Sequence, residues 1–331
     1  MQIISSPKTL NAILESGFVQ NILFQGAPYS TQFNPTKSTS KAVVYLELFE
    51  INIELINQMK AAGKKVVLYH MGDELADKNI AAYNACDLII RNYFFPEILN
   101  RPEVAHKILW APNGCKTGVS PRAPYSIQKV ASRQYLSCFL GWLSNTASFN
   151  GERSLFSEAA MAWSGSKKRR TKNLIHWLKH YLSLSKEYLS FSRVAPHCKE
   201  DLHLLSSNGF SNGYNVGLYS ATMEDSVFAP CPAGNSPETI RLYDALESGC
   251  IPVSLKHEFL TSPNALGEFG APPFIILSSW NQFPEFLGEM KQKMLTNPED
   301  IQKMQQDCIT WWGNYKNNIA QKIAKRIESL N

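Results

Sequence analysis

In the stretch Phe228 to Val253, FAPCPAGNSPETIRLYDALESGCIPV, a guanidinium and a carboxylate stand three positions apart, Arg241 and Asp244, just behind a run of small residues and prolines. A planar guanidinium pairs with a diphosphate through two parallel hydrogen bonds. A carboxylate in the same neighbourhood accepts hydrogen bonds from ribose hydroxyls. The residues ahead of the pair would present both to a ligand. Pro232 and Gly234 shape a tight turn, Ser236 suits a helix cap, Pro237 suits the first helical position, and Glu238 and Thr239 follow in the first turn. Free N–H groups and the positive end of the helix dipole at such a start favour a phosphate-bearing ligand. The same spacing also fits an ordinary solvated helix face, with Arg241, Ala245 and Ser248 on one side and Ile240, Asp244 and Glu247 on another.

The elements that must hold these residues follow an α/β rhythm. AVVYLE from Ala42, VVLYH from Val66, DLIIRNY from Asp87 and ILWAP from Ile108 read as strands. NIELINQMKAAGKK between the first two predicts a helix capped by Asn52 and stopped by Gly63, and ELADKNIAAYNA predicts a second. SPRAPYSIQKVASRQY reads as a linker, and YLSCFLGWL from Tyr135 opens a second series of elements. There ERSLFSEAAMAW and PETIRLYDALESG predict helices, SVFAPCP and IPVSL predict strands, and from Pro298 the pattern is almost entirely helical. At 331 residues the chain exceeds one ordinary hydrophobic core, so two domains are expected. Seven scattered cysteines, never spaced as CxxC, argue against a disulfide framework or a structural zinc site. No apolar run is long enough to span a membrane, and the N-terminus lacks the pattern of a secretion signal, so a cytoplasmic protein is expected.

SVFAPCPAG, TIRLYDAL and ESGCIPV together resemble the C-terminal signature of exostosin-type glycosyltransferases, and PETIRLYDALESG is similar to the relatives of that family that include ribitol xylosyltransferase. Thr239 stands where the family carries serine, and Asp244 where it carries glutamate. The resemblance implies a GT-B fold: two Rossmann-like domains facing a cleft, with a C-terminal helix crossing back. It would place an acceptor-side domain at residues 1–125, a sugar-nucleotide-binding domain at 126–310, and a bracing helix at 311–331. It also implies a phosphate-contacting arginine in LGWLSNTASFNGERSLF, where Asn145, Gly151 and Arg153 would close around the donor diphosphate.

No DxD motif occurs, so no metal or other cofactor is expected, and a helix start with arginines would neutralise the leaving nucleotide. Such a transfer needs a base for the acceptor hydroxyl. VVLYHMGDE supplies three candidates, Asp73, Glu74 and His70, just beyond a predicted strand. An Asp73 that caps a helix and an interior His70 fit the same letters. Arg91 and Asn92 in RNYFFPE, and Lys116 in APNGCKTG, would meet the acceptor.

The formal net charge of +5 is matched by one cluster, Lys167, Lys168, Arg169, Arg170 and Lys172, beside an amphipathic pattern. That combination suits an anionic membrane surface, and equally a solvated loop ahead of a docked helix. Nucleic acid is not an expected partner, because no binding module accompanies the cluster. The combined expectation is a metal-independent, inverting glycosyltransferase that moves a sugar from a nucleotide-sugar, a UDP-sugar, to a glycan or lipid-linked glycan in polysaccharide or lipopolysaccharide synthesis, in the cytoplasm or at the inner face of the membrane. The alternatives are a fucosyltransferase-like enzyme using a GDP-sugar and a non-catalytic glycan- or membrane-binding module.

Overall fold

A computed structural model describes the chain except for residues 35–39, 79, 117, 120–125, 144, 146, 164–196, 200, 208–214 and 331. The basic cluster Lys167–Lys172 and part of the expected linker lie outside the described residues. Two compact units emerge. One comprises residues 1–117, 258–272 and 312–331, the other residues 118–257 and 273–311. Residues 258–272, expected in the second domain, are counted with the first.

The first unit is built on a six-stranded parallel sheet, β1 (Ile3–Ser5), β2 (Tyr29–Ser30), β3 (Ala42–Glu47), β4 (Lys65–His70), β5 (Leu88–Arg91) and β6 (Ile108–Trp110). Its spatial order is β2-β1-β3-β4-β5-β6. The central strands are near-continuous apolar runs because parallel strands are covered on both faces, and every residue of β3 is buried. Register places Glu47 beside His70, His70 beside Arg91, and Arg91 beside Trp110, so four chemically rich side chains form one row at the carboxyl edge. Between β3 and β4 runs a helix, Ile53–Ala61, capped as expected: the Asn52 side chain accepts from Leu55 N at 3.0 Å.

Downstream of β4 the sequence reading is corrected. ELADKNIAAYNA forms no α-helix but a turn and a short 3-10 segment, Ala81–Ala85. Asp73, whose Oδ2 is held by Arg91, captures Lys78 N through Oδ1 at 3.0 Å, and Ala76 sits at φ +55, so the backbone folds around the carboxylate instead of coiling.

The second unit has its own six-stranded sheet, β7 (Tyr135–Gly141), β8 (His197–Lys199), β9 (Leu202–Ser206), β10 (Ser226–Pro230), β11 (Ile251–Leu255) and β12 (Ile275–Leu277). Its order is β12-β11-β10-β7-β9-β8, parallel throughout except for β8, which pairs antiparallel with β9. The helices here are α3 (Glu152–Trp163), α4 (Val216–Glu224), α5 (Ile240–Glu247) and α6 (Phe283–Thr296), with α1 (Pro7–Ala12) and α2 (Ile53–Ala61) belonging to the first unit. The last helix, α7 (Pro298–Glu328), is counted with the second unit as far as Trp311 and with the first from Trp312. Within the first unit Trp312 stacks on Phe18 at 6.0 Å, and Tyr315 meets Phe269 edge-on at 5.2 Å. Six cysteines, Cys86, Cys115, Cys138, Cys231, Cys250 and Cys308, are buried free thiols.

Two glycines test this packing in opposite directions. Gly114 has φ +79, and a Cβ there would collide with the Phe18 ring that carries Trp312. Gly114→Ala should therefore lower the unfolding free energy by about 3 kcal/mol. Gly313 lies inside α7 with open space around it, so Gly313→Ala should raise stability by up to about 1 kcal/mol. Urea midpoints of the two variants against the parent chain check both signs.

Candidate active site

In each sheet the strand order reverses once, between β1 and β3 in the first unit and between β7 and β10 in the second. Chains leave such a pair toward opposite faces and open a crevice beyond the carboxyl ends, where ligands of open α/β sheets bind. The residues singled out in the second half converge on the crevice between β7 and β10.

Arg241, in the first turn of α5, turns back over the end of β7. It donates from Nη2 to the Leu140 carbonyl, and its guanidinium lies 4.2 Å from the centre of the Phe139 ring and 5.5 Å from that of Tyr219. Gly141 makes this approach feasible, since a Cβ there would strike Nη2. Only 6% of Arg241 is exposed, and its Nε and Nη1 are buried without hydrogen-bond partners. Arg153, near the start of α3, donates from Nε to the Ala233 carbonyl at 2.9 Å and from Nη1 to the Trp142 carbonyl at 3.3 Å. It lies 5.4 Å from the centre of the same Phe139 ring. Burial first, and the positive charge of Arg241 second, lower its pKa to about 9, so it stays charged at neutral pH.

Neither guanidinium has an ion-pair partner among the described carboxylates. Asp244, expected to serve a ribose, accepts from the Tyr219 hydroxyl at 3.0 Å and is 1% exposed. Two cations thus share one aromatic ring, hydrogen-bonded only to carbonyl oxygens, with Glu152 acting on Arg153 at longer range and no carboxylate in direct ion-pair contact with either.

The loop after β10 is held by two consecutive residues of α3. Glu152 Oε2 accepts from Ala233 N at 3.0 Å while Arg153 takes the carbonyl of the same residue, so the two peptide units flanking the Ala233 Cα are both held. Glu152 also accepts from Trp280 Nε1 at 3.2 Å, and His257 Nε2 lies 3.0 Å from Glu152 Oε1. Gly234 completes the clamp, its carbonyl accepting from Phe149 N at 2.7 Å. Sequence reasoning missed Phe139, Tyr219 and Trp280, and saw in Glu152 only a surface partner for Arg153. The signal for Glu152 was its place beside Arg153 at a helix start.

One expectation is corrected. The helix begins at Ile240, not at Pro237, and Ser236 is not its cap. Ser236 Oγ accepts from Glu238 N at 3.4 Å, Glu238 accepts from the Tyr243 hydroxyl at 2.8 Å, and Thr239 is extended at φ −115 and ψ 138. These side-chain bonds keep residues 237–239 outside the helix. Pro232, Ser236, Glu238 and Thr239 are buried and Gly234 is half-buried, while Asn145 accepts from Ala147 N at 3.2 Å.

The first-unit candidates form a different kind of cluster at the end of β4 and β5. Arg91 is fully buried, pairs with Asp73 Oδ2 at 3.1 Å, and donates from Nη1 to the Tyr83 hydroxyl at 3.1 Å. The same hydroxyl lies 2.7 Å from His70 Nδ1, and with Arg91 donating to its oxygen the network assigns the imidazole proton to Nε2. Asp73 and Arg91 are thus engaged with each other, and Asn92 is buried with its side-chain amide donating to Asn113 Oδ1. Glu74 and Lys116 are the half-exposed candidates.

Burial, with the nearby Arg91 charge second, lowers the His70 pKa from 6.5 to about 4. An unfolded chain therefore binds a proton that the folded chain refuses between those values, and stability contributed by neutral His70 is lost as the pH falls from 6.5 to about 4. The loss should reach about 3 kcal/mol. Comparing urea midpoints across that window, His70→Gln should show the shallower slope. Parallel curves would remove His70 as the cause.

Residues 105–268 match the Exostosin GT47 domain, and residues 211–330 match the RXYLT1 C-terminal domain. Ribitol-5-phosphate xylosyltransferase 1 of Mus musculus is 28% identical over 123 residues, covering 34% of this chain and 27% of that protein. Its Homo sapiens counterpart is 27% identical over 123 residues with the same coverage. The match thus spans about a quarter of the length of these curated relatives. Among solved structures, Anabaena HepE in complex with UDP superimposes with a TM-score of 0.53 at 11% identity, covering 99% of this chain and 100% of that one, a likeness of fold. With two parallel-sheet units, a long C-terminal helix and two overlapping domain matches that together span residues 105–330, the chain has the GT-B fold and belongs to the exostosin-type glycosyltransferase family.

Proposed function

We propose that this chain transfers a sugar from a UDP-sugar to a glycan or lipid-linked glycan acceptor, with inversion and without a divalent cation. The observation that carries the reading is the pair of buried guanidiniums, Arg153 and Arg241, with no carboxylate partner among the described residues. A buried cation without a counter-ion costs several kcal/mol, and a ligand bringing two or more negative charges offsets that cost. A pyrophosphate does so, and its shape matches paired N–H donors. As the glycosidic bond breaks, negative charge grows on the β-phosphate, and two fixed cations in a dry crevice stabilise it without reorganising.

Family membership supports the reaction class, and the UDP bound to HepE and the pentosyl transfer named for the xylosyltransferase relatives point to the donor. Asp244, tied to Tyr219 beside Arg241, is the carboxylate nearest the expected ribose position in sequence. For the acceptor proton the first unit offers Glu74 as the half-exposed carboxylate of the three candidates, since Asp73 is engaged with Arg91 and neutral His70 already accepts from Tyr83. Among the described residues no helix is long and apolar enough to cross a membrane. The reading includes a cytoplasmic enzyme that meets anionic lipid through Lys167–Lys172 when its acceptor is lipid-linked.

Incubation with UDP-, GDP- and CMP-sugars, followed by nucleotide release and thermal shift, tests the proposal. UDP should stabilise the parent chain. In Arg241→Met that stabilisation should vanish, with affinity at least about thirtyfold weaker. The ligand-free variant should melt at the same temperature as the parent or higher, because an uncompensated buried cation has been replaced by an apolar side chain. Equal UDP stabilisation of parent and variant would remove the phosphate role of Arg241. Preference for GDP would indicate the fucosyltransferase-like alternative, and stabilisation without turnover on any acceptor would indicate a binding module.

A further inference from the structure

The first unit has a reversal of strand order of its own, between β1 and β3, and a crevice of about 470 Å³ opens there. This lies in the range of small-molecule sites, roughly 300 to 1,000 Å³. Its floor is a dense polar network. Glu47, the last residue of β3, accepts from Thr9 Oγ1 at 2.6 Å, from Leu48 N at 2.9 Å, from Phe49 N at 3.0 Å and from the Tyr45 hydroxyl at 3.0 Å. Tyr45 in turn accepts from Asn52 N at 3.0 Å. Three of these donors fall on Oε1 and only Tyr45 on Oε2, so Glu47 is held rigidly at the base of the crevice with one acceptor position left on Oε2.

The groups that remain available are of another kind. Ser5, the last residue of β1, lines the crevice with its Oγ buried and without a hydrogen-bond partner, the residue being 1% exposed. Such an orphaned hydroxyl inside a packed domain costs about 1 to 3 kcal/mol unless something bonds to it. Lys8 and Glu50 stand exposed on the rim without an ion-pair partner among the described residues, the Lys8 ammonium 4.0 Å from the centre of the Phe49 ring. Phe33 and Phe49 supply half-buried aromatic surface, and Thr31 adds a hydroxyl.

We infer that this crevice binds a single uncharged sugar ring. Sugar hydroxyls need donors and acceptors together, which Ser5, Lys8, Thr31 and Glu50 provide, while the C–H face of the ring needs aromatic surface, which Phe33 and Phe49 provide. The lining carries one ammonium, Lys8, and two carboxylates, Glu47 and Glu50, so the local charge opposes a phosphate or an acidic sugar and distinguishes this crevice from the one in the second unit that holds two guanidiniums. Assigning the bound ring to the acceptor rests on the glycosyl-transfer reading above; the binding itself does not.

Saturation-transfer NMR on the full chain, with glucose, galactose, xylose and N-acetylglucosamine as probes, tests the inference. At least one sugar should receive saturation, and the signal should fall about fivefold in Phe49→Ala and in Ser5→Ala. Lys8→Ala, a change at an exposed residue that leaves the core intact, should weaken it as well. Thermal stabilisation by UDP should be unchanged in all three variants, while Arg241→Met should lose the UDP response and keep the sugar signal. No saturation of any probe, or equal saturation in the parent and in the Phe49 and Ser5 variants, would overturn the sugar site. Sugar saturation in a chain that ignores UDP would overturn the transferase reading and leave this one standing.

Discussion

Two like charges held against one aromatic ring are the constraint around which the second unit is arranged. Arg153 and Arg241 both lie within 5.4 Å of the centre of the Phe139 ring, buried, with no described carboxylate in direct ion-pair contact. Left alone, this arrangement opposes folding, because desolvated cations repel and the ring offsets only part of the cost. What keeps them there is the frame: carbonyls of Leu140, Trp142 and Ala233 accept their N–H groups, and β7 and β10 fix those carbonyls in place. The cost is located where the sheet opens, at the reversal of strand order between β7 and β10.

The Ala233 peptide shows how closely the frame is tied to the charge. Glu152 and Arg153 are neighbours in sequence, yet one holds the N–H and the other the carbonyl of the same residue on a different loop. Glu152 is itself fixed by Trp280, which packs edge-on against Phe156 of α3. The aromatic core therefore reaches the crevice through one carboxylate, and the position of Arg153 is set by packing some distance away.

The two units repeat one device with opposite chemistry. Each has a sheet whose order reverses once, and each places polar side chains at that reversal. In the second unit the reversal gathers cations over a ring. In the first it gathers a tightly held carboxylate, an orphaned hydroxyl and a rim of mixed charge. The end of β4 and β5, by contrast, is closed by the Asp73–Arg91 pair and the Tyr83 bridge to His70, an arrangement that joins strands and leaves few groups available to a ligand.

Runs such as AVVYLE, KVVLYH and SVFAP determined their strands by composition alone, because a strand covered on both faces must be apolar throughout. Asn52 announced its helix, since a cap is a bond between residues three apart. Arg241 and Asp244 drew notice for a local reason, as polar residues near a helix start after a strand, and Arg153 through the family resemblance; the structure places both arginines at the Phe139 ring. Tertiary structure alone decided the rest. The helix over ELADKNIAAYNA was lost to a carboxylate whose other oxygen is held by Arg91 of the next strand, and the start at Pro237 was lost to side-chain bonds that displace the first turn. Short strands such as β1 and β12 exist only because a neighbour supplies their hydrogen bonds. Periodicity records which residues avoid water, but whether a guanidinium finds a carboxylate or only a ring depends on residues a hundred positions away, and only the folded chain brings those together.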